Sequence, residues 1–163
     1  MSGLITAGVL SQRNGYTMLL EAQGNRSGIA TLRLQVSQQL ICTLTSNSTY
    51  FYTDAEGTQG QSTQWTVTPG AIQTIYISVT GNRASLIIPH PEYITKLGDS
   101  SYIGWVSSTN APKLTFNAAG LINLTNLRIE GTCLISGALP TGLTFLYLSG
   151  NLINWTYSGA LPT

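Results

Sequence analysis

Leu124-Thr125-Asn126-Leu127-Arg128-Ile129-Glu130-Gly131 returns 19 residues later as Leu143-Thr144-Phe145-Leu146-Tyr147-Leu148-Ser149-Gly150. A second echo accompanies it. Gly137-Ala138-Leu139-Pro140-Thr141 reappears as Gly159-Ala160-Leu161-Pro162-Thr163, 22 residues on. With Asn151 after Gly150, the pattern reads Leu-x-x-Leu-x-Leu-x-Gly-Asn. Both spacings lie close to the period of leucine-rich repeats, roughly 20–29 residues. Two motifs recurring in phase set this apart from a β-hairpin with chance similarity.

The spacing predicts a solenoid. Leu124, Leu127 and Ile129 of the first repeat, and Leu143, Leu146 and Leu148 of the second, point into its core. Leu146 and Leu148 lie on a short strand, and Leu139 and Leu161 close each coil at the back. Asn151 falls where an inward amide satisfies turn backbone from coil to coil; Thr132 holds that position in the first repeat. A repeat of this kind cannot bury its own core, and about three are needed for stability. Two are visible, the second stops in mid-coil at Thr163, and there is no polar capping repeat. The exposed end is therefore expected to need either a continuation of the chain or another subunit.

Upstream, residues 29–90 predict a small β-sandwich. Ala30, Leu32, Leu34 and Val36 alternate with Thr31, Arg33 and Gln35, the period of a half-buried strand. Leu40 to Leu44, Tyr50 to Tyr52, Trp65 with Val67, Ile72 to Val79, and Ala84 to Ile88 follow as further strands. Turn signals separate them at the intervals of an all-β domain, and no segment carries a helical period. Pro89 and Pro91 stop the last ladder. Residues 91–120 read as a connector, in which Tyr93, Ile94, Tyr102, Ile103, Trp105 and Val106 are buried against neighbouring domains.

Residues 1–28 hold two apolar clusters, Leu4, Ile5, Val9 and Leu10, then Tyr16, Met18, Leu19 and Leu20, with the turn signal Asn14-Gly15 between them. The expectation is an attachment arm that buries these side chains on a partner. A strand pair of the next domain is the alternative. The fold class expected is thus mainly β: an arm over 1–28, a sandwich over 29–90, a connector over 91–120, and an incomplete repeat domain over 121–163.

Only 8% of the residues are charged and the net charge is +1, against roughly 25% charged in an average soluble domain. The surface must be built from hydroxyl, amide and glycine. Scattered basic residues give no phosphate-binding patch, so nucleic acid is not an expected partner. The N-terminus has neither a positive segment nor a long apolar stretch, so no signal peptide is read there. No apolar run is long enough for a membrane helix. Cys42 and Cys133 match no metal motif and are expected as unpaired core thiols. A hydroxyl-rich surface without an export signal fits a virion protein, assembled in the host cytoplasm and exposed on lysis; a lost or clipped signal peptide, or a non-classical export route, fits it as well.

Residues 137–151 resemble leucine-rich repeats in proteins of Bacteroides and their phages. Ala30 to Val36, Phe51-Tyr52-Thr53-Asp54 and Trp65-Thr66-Val67-Thr68 resemble the β domain that precedes such repeats in crAss-like phage head-fibre or tail-fibre proteins. The resemblance implies a fibre or head-attached protein of the virion surface, joined to other capsid or tail proteins through its N-terminus.

Enzyme chemistry is not expected. His90 is the sole histidine, set in Pro89-His90-Pro91 without a nucleophile elbow. Asp54 and Glu56 lack a third carboxylate for calcium, and no phosphate-cradling or dinucleotide motif occurs. No cofactor is implied. Tyr147, with Trp155 and Tyr157, is the candidate ligand-facing set, since aromatics on a repeat surface stack on sugars or anchor proteins. The expected function is a structural virion module projecting its repeats toward a host glycan or surface protein, as a homo-oligomer. A bacterial cell-surface adhesion protein and a polysaccharide-degrading spike enzyme are the alternatives.

Overall fold

Alternation of apolar and polar side chains sets the strands. In this computed structural model, which describes residues 17–21, 27–45, 49–52, 60–80, 83–107, 113–131, 133–149 and 155–157, the protein is mainly β. The first seven strands are β1 (Thr17–Glu21), β2 (Ser27–Val36), β3 (Leu40–Leu44), β4 (Thr49–Tyr52), β5 (Gln64–Val67), β6 (Gln73–Thr80) and β7 (Arg83–Ile87). Then come β8 (Ile94–Leu97), β9 (Trp105–Ser107), β10 (Lys113–Asn117), β11 (Asn126–Glu130), β12 (Cys133–Ser136), β13 (Phe145–Ser149) and β14 (Trp155–Tyr157). Short 3-10 turns at Pro91–Tyr93 and Ala118–Gly120 are the sole helical elements among the described residues. In β2 the predicted phase holds: Ala30, Leu32, Leu34 and Val36 are buried.

The strands form two seven-stranded sheets. One runs β14-β12-β10-β1-β7-β3-β5 and the other β13-β11-β8-β2-β6-β4, with β9 also pairing β11 and β2. Leu40, Cys42, Val67 and Leu86 of the first share one apolar cluster with Leu32, Leu34, Ile77 and Leu127 of the second. Each fully buried aliphatic side chain stabilises this core by about 1.5–3 kcal/mol.

Both sheets change character at one seam. On one side every pairing is antiparallel: β1 with β7, β2 with β6, β3 with β5 and β7, and β4 with β6. On the other, β10, β12 and β14 stack in parallel, as do β8, β11 and β13. The seam strands are β1, antiparallel to β10, and β2, antiparallel to β8 and β9. Consecutive strands of one segment therefore supply each sheet with the edge on which its parallel stack begins.

This placement changes the reading of two segments. Residues 91–120, expected as a connector, carry three strands, because β8 and β9 extend one sheet and β10 the other. Of the arm expected over 1–28, Leu4, Ile5, Val9, Leu10 and Tyr16 lie outside the described residues. Met18, Leu19 and Leu20 lie on β1, paired on both sides in the middle of a sheet.

The repeat begins earlier than its obvious copies. Leu97 pairs with Leu127 and Trp105 with Ile129. Eight positions separate the first of each pair, but two separate the second. Residues 98–103 are thus a six-residue insertion, and β8 with β9 form one interrupted strand equivalent to β11. A bridge between Gly98 and Ile103 closes the inserted loop. Gly98 adopts φ +78°, and a Cβ there would collide with the backbone of Gly104. One on Gly104 would collide with the Leu97 backbone.

Candidate functional site

The outer face of the parallel stack carries the polar alternates of its strands. Leu127 and Ile129 are buried while Asn126, Arg128 and Glu130 between them are half-exposed. In-register pairing sets Phe145 beside Asn126, Tyr147 beside Arg128 and Ser149 beside Glu130. Tyr147 is 44% exposed, and the Arg128 guanidinium lies 5.1 Å from its ring centroid. A cation over an aromatic face at this distance is attractive.

Arg128 is held on every side but one. Its Nη2 donates to Glu130 Oε1 at 3.0 Å, and its Nη1 to the carbonyls of Ser100 at 3.0 Å and Asp99 at 3.4 Å. Its buried Nε has no partner among the described residues. Arg33 grips the same loop from β2, donating through Nη1 to the Ile103 carbonyl at 2.9 Å and through Nε to Thr74 Oγ1 at 3.1 Å. The inserted loop is thus clamped between an arginine of the antiparallel body and one of the repeat.

Asp99 shapes the loop from within. Its Oδ1 accepts from the backbone N–H of Ser101 and of Tyr102, both at 2.9 Å, and its Oδ2 lies 3.7 Å from Lys96 Nζ. Burial pushes its carboxyl up, but the two N–H donors and Lys96 outweigh burial and hold it below its ordinary value. Tyr102, in the turn that Asp99 closes, is 53% exposed, contrary to its expected burial.

A ladder of threonines runs along the stack at the start of its strands: Thr95 lies on β8, and Thr125 and Thr144 immediately precede β11 and β13. Thr95 Oγ1 donates to the Gln35 carbonyl at 3.2 Å. Thr125 donates its N–H and its hydroxyl to the Thr95 carbonyl, and Thr144 does the same to the Thr125 carbonyl. Asn151 and Thr132, where an amide ladder was expected, lie outside the described residues. The ladder was readable as the shared threonine of Leu124-Thr125 and Leu143-Thr144, with Ile94-Thr95 as the missed third copy.

The predicted repeat core divides by position along the stack. Leu124, Leu127 and Ile129 are buried, and Leu139 is buried behind them. Leu143 and Leu148 are partly buried against the same cluster. Leu146, expected inside, is 41% exposed, because no described strand follows β13 to cover it. Of the candidate ligand-facing set, Tyr147 stands on the outer face of β13. Trp155 and Tyr157 are not beside it: β14 belongs to the other sheet, in register with Cys133 and Ile135.

No protein-family model matches the chain, and no curated protein or solved structure is significantly similar to it. What the surface can do must therefore be read from its own groups. An exposed phenol ring, a guanidinium fixed beside it and a carboxylate tied to that guanidinium can stack on a ligand and hydrogen-bond to it.

The remaining chemistry-bearing side chains are occupied elsewhere. His90 Nδ1 is 2.9 Å from Glu92 Oε1, and its ring stacks on Tyr93 at 4.6 Å. Among the described residues no three His, Cys, Asp or Glu side chains gather as a metal site; Asp54 and Glu56 fall outside them. Cys42 and Cys133 are buried and form no disulfide among the described residues, and burial pushes the Cys42 thiol up to about 12. No helix is long and apolar enough to cross a membrane among the described residues.

Proposed function

We propose that this chain is a structural module of a phage particle, a fibre or head-decoration protein. In this reading the antiparallel half is a β-sandwich base, and the parallel strands are the opening coils of a leucine-rich-repeat solenoid. The repeats project outward, and the Tyr147–Arg128 face binds a host glycan or surface protein. The observation that carries this reading is the seam at β1 and β2, where a parallel stack rises from an antiparallel body. A sparsely charged, hydroxyl-rich composition supports it, as does the resemblance of residues 137–151 to leucine-rich repeats in proteins of Bacteroides and their phages.

Attachment to the particle is assigned to the segment ahead of β1, because β1 is a central strand. Deleting residues 1–16 while keeping β1 should abolish incorporation into particles and leave the circular dichroism spectrum intact. Normal incorporation of that deletion would overturn the attachment role. Tyr147→Ala should then weaken adsorption of assembled particles to host cells without changing their protein content. Unchanged adsorption would remove Tyr147 from the binding face.

A further inference from the structure

Charge is scarce in this chain, and the described charges gather in one place. Arg33, Lys96, Arg128 and Glu130 are outward alternates on neighbouring strands of one sheet. Asp99 of the inserted loop contacts two of them, Lys96 and Arg128. Two pairs neutralise each other, Lys96 with Asp99 at 3.7 Å and Arg128 with Glu130 at 3.0 Å. Arg33 has no carboxylate partner among the described residues. Its Nε and Nη1 are anchored on Thr74 Oγ1 at 3.1 Å and on the Ile103 carbonyl at 2.9 Å, while Nη2 makes no hydrogen bond among the described residues. A guanidinium fixed in this way offers its remaining N–H groups to a ligand already oriented, and its planar fork matches a carboxylate.

The loop beside it is ordered in advance. Gly104 lies between the two arginines, accepting from the Arg33 N–H at 2.8 Å and donating to the Arg128 carbonyl at 2.9 Å. Backbone of Leu97 and Gly98 fills the space that a side chain on Gly104 would take. Tyr102, 53% exposed, precedes the residue that Arg33 holds. Its N–H donates to Asp99 Oδ1 at 2.9 Å and its carbonyl accepts from the Asp99 N–H at 2.7 Å. Exposed Ser100 and Ser101 adjoin it. Insertions in repeat proteins collect on one face, often the binding face, and prior ordering lowers the entropy cost of binding.

One unpaired cation among the described residues suits one anionic group, whereas a polyanion such as nucleic acid needs several. Hydroxyls and a single exposed ring suit a polyhydroxyl ligand better than a protein, whose interfaces centre on a packed apolar patch. We infer that Arg33 and Tyr102, joined through the inserted loop, bind a sugar that carries a carboxylate. Arg33 takes the carboxylate, and the Tyr102 ring stacks on the sugar ring. The inference rests on the glycan-binding reading of the outer face and names the class of glycan.

Ligand-observed NMR titrations of the full chain with sialyllactose and a galacturonic acid disaccharide test it. Lactose and the carboxyl-reduced disaccharide are the neutral counterparts. Both acidic sugars should bind at millimolar concentration or below, and the neutral ones at least about tenfold more weakly, the worth of a charge-assisted hydrogen bond. Arg33→Gln should abolish that preference, and Arg33→Lys should restore only part of it. Tyr102→Ala, at an exposed position, should weaken binding of acidic and neutral sugars alike with an unchanged thermal melt. It carries the test if Arg33→Gln fails to fold. Absence of binding by both acidic sugars, a folded Arg33→Gln that keeps the preference, or a Tyr102→Ala that binds like the wild type would each overturn the inference. Equal binding of the neutral sugars would overturn it too, yet leave the glycan-binding reading standing; that reading is decided by the adsorption of Tyr147→Ala particles.

Discussion

The hydroxyl and the backbone N–H of Thr125 both donate to the carbonyl of Thr95, at 3.0 and 2.8 Å. Thirty residues separate the two in sequence, yet they are neighbours on adjacent strands. The same double contact recurs between Thr144 and Thr125 at 3.1 and 2.8 Å. Parallel strands bond through slanted, evenly spaced contacts, and the carbonyls of Thr95 and Thr125 each accept a threonine hydroxyl in addition to a backbone N–H. The threonines satisfy those carbonyls from one pass of the chain to the next.

Thr125→Val keeps the branched shape and removes the hydroxyl. It should lower stability by about 1 kcal/mol, the net worth of one such hydrogen bond. For a chain of this size that is a fall in Tm of about 2–4 °C. Thr125→Ser should recover most of the loss. Thermal melts of the three proteins decide the point.

Leu127 and Leu146 are the same position in successive repeats with opposite burial. Leu127→Ala should cost about 2–5 kcal/mol, the range for emptying a packed core site. Leu146→Ala, measured in dilute solution, should cost less than about 1 kcal/mol, as at other exposed sites away from special features. Urea titrations at matched concentration give both values.

Gly104 has a Cβ direction that points into the Leu97 backbone. Gly104→Ala should lower stability by about 1–3 kcal/mol, the cost of forcing an extra carbon into a packed site. Gly70, at φ +129° in open space, separates backbone strain from steric clash: Gly70→Ala should destabilise through conformation alone. The two melts should also differ in protease sensitivity, with cleavage of the inserted loop rising for Gly104→Ala only.

The Asp99 carboxyl is held below its ordinary value in the folded chain. A depressed native pKa adds stability above the unfolded pKa, and that stability is lost as pH falls through the native value. The wild type should therefore weaken on acidification below about pH 4, where an unperturbed Asp titrates. Asp99→Asn should flatten this part of the profile, while its stability near pH 7 falls because the Lys96 pairing is gone. Denaturant midpoints across pH 2–7 test the sign.

Both thiols are buried, and that of Cys42 is pushed up to about 12. The thiolate is the reactive form, so a thiol reagent at pH 8 should leave the native chain unlabelled. In guanidinium both cysteines should react. Fast labelling of the native protein would show that the core opens locally.

Most strands of the antiparallel half were legible from alternation, because period two is a local property of a half-buried strand. Ala30, Leu32, Leu34 and Val36 announced β2 in the correct phase. The parallel pairing of β11 and β13 was foreshadowed by the 19-residue repeat, since equal spacing in sequence puts equivalent residues in register. Tyr147 could be placed on an exposed face for the same reason. Trp155 and Tyr157 could not, because the sheet a strand joins is not written in its own residues.

The sequence by itself determined that this protein is mainly β, where its apolar faces lie, and that its last part repeats. Only the tertiary structure decided that β1 and β2 split between two sheets and start both parallel stacks. It alone revealed the first repeat unit, which the insertion at 98–103 shifts out of period. It alone set Arg33 and Arg128 on the two sides of that loop. The physical reason is the reach of each interaction. Side-chain alternation acts between neighbours, whereas a strand chooses its partners through backbone hydrogen bonds that any residue but proline can make, so the choice is settled by the core both sheets must close.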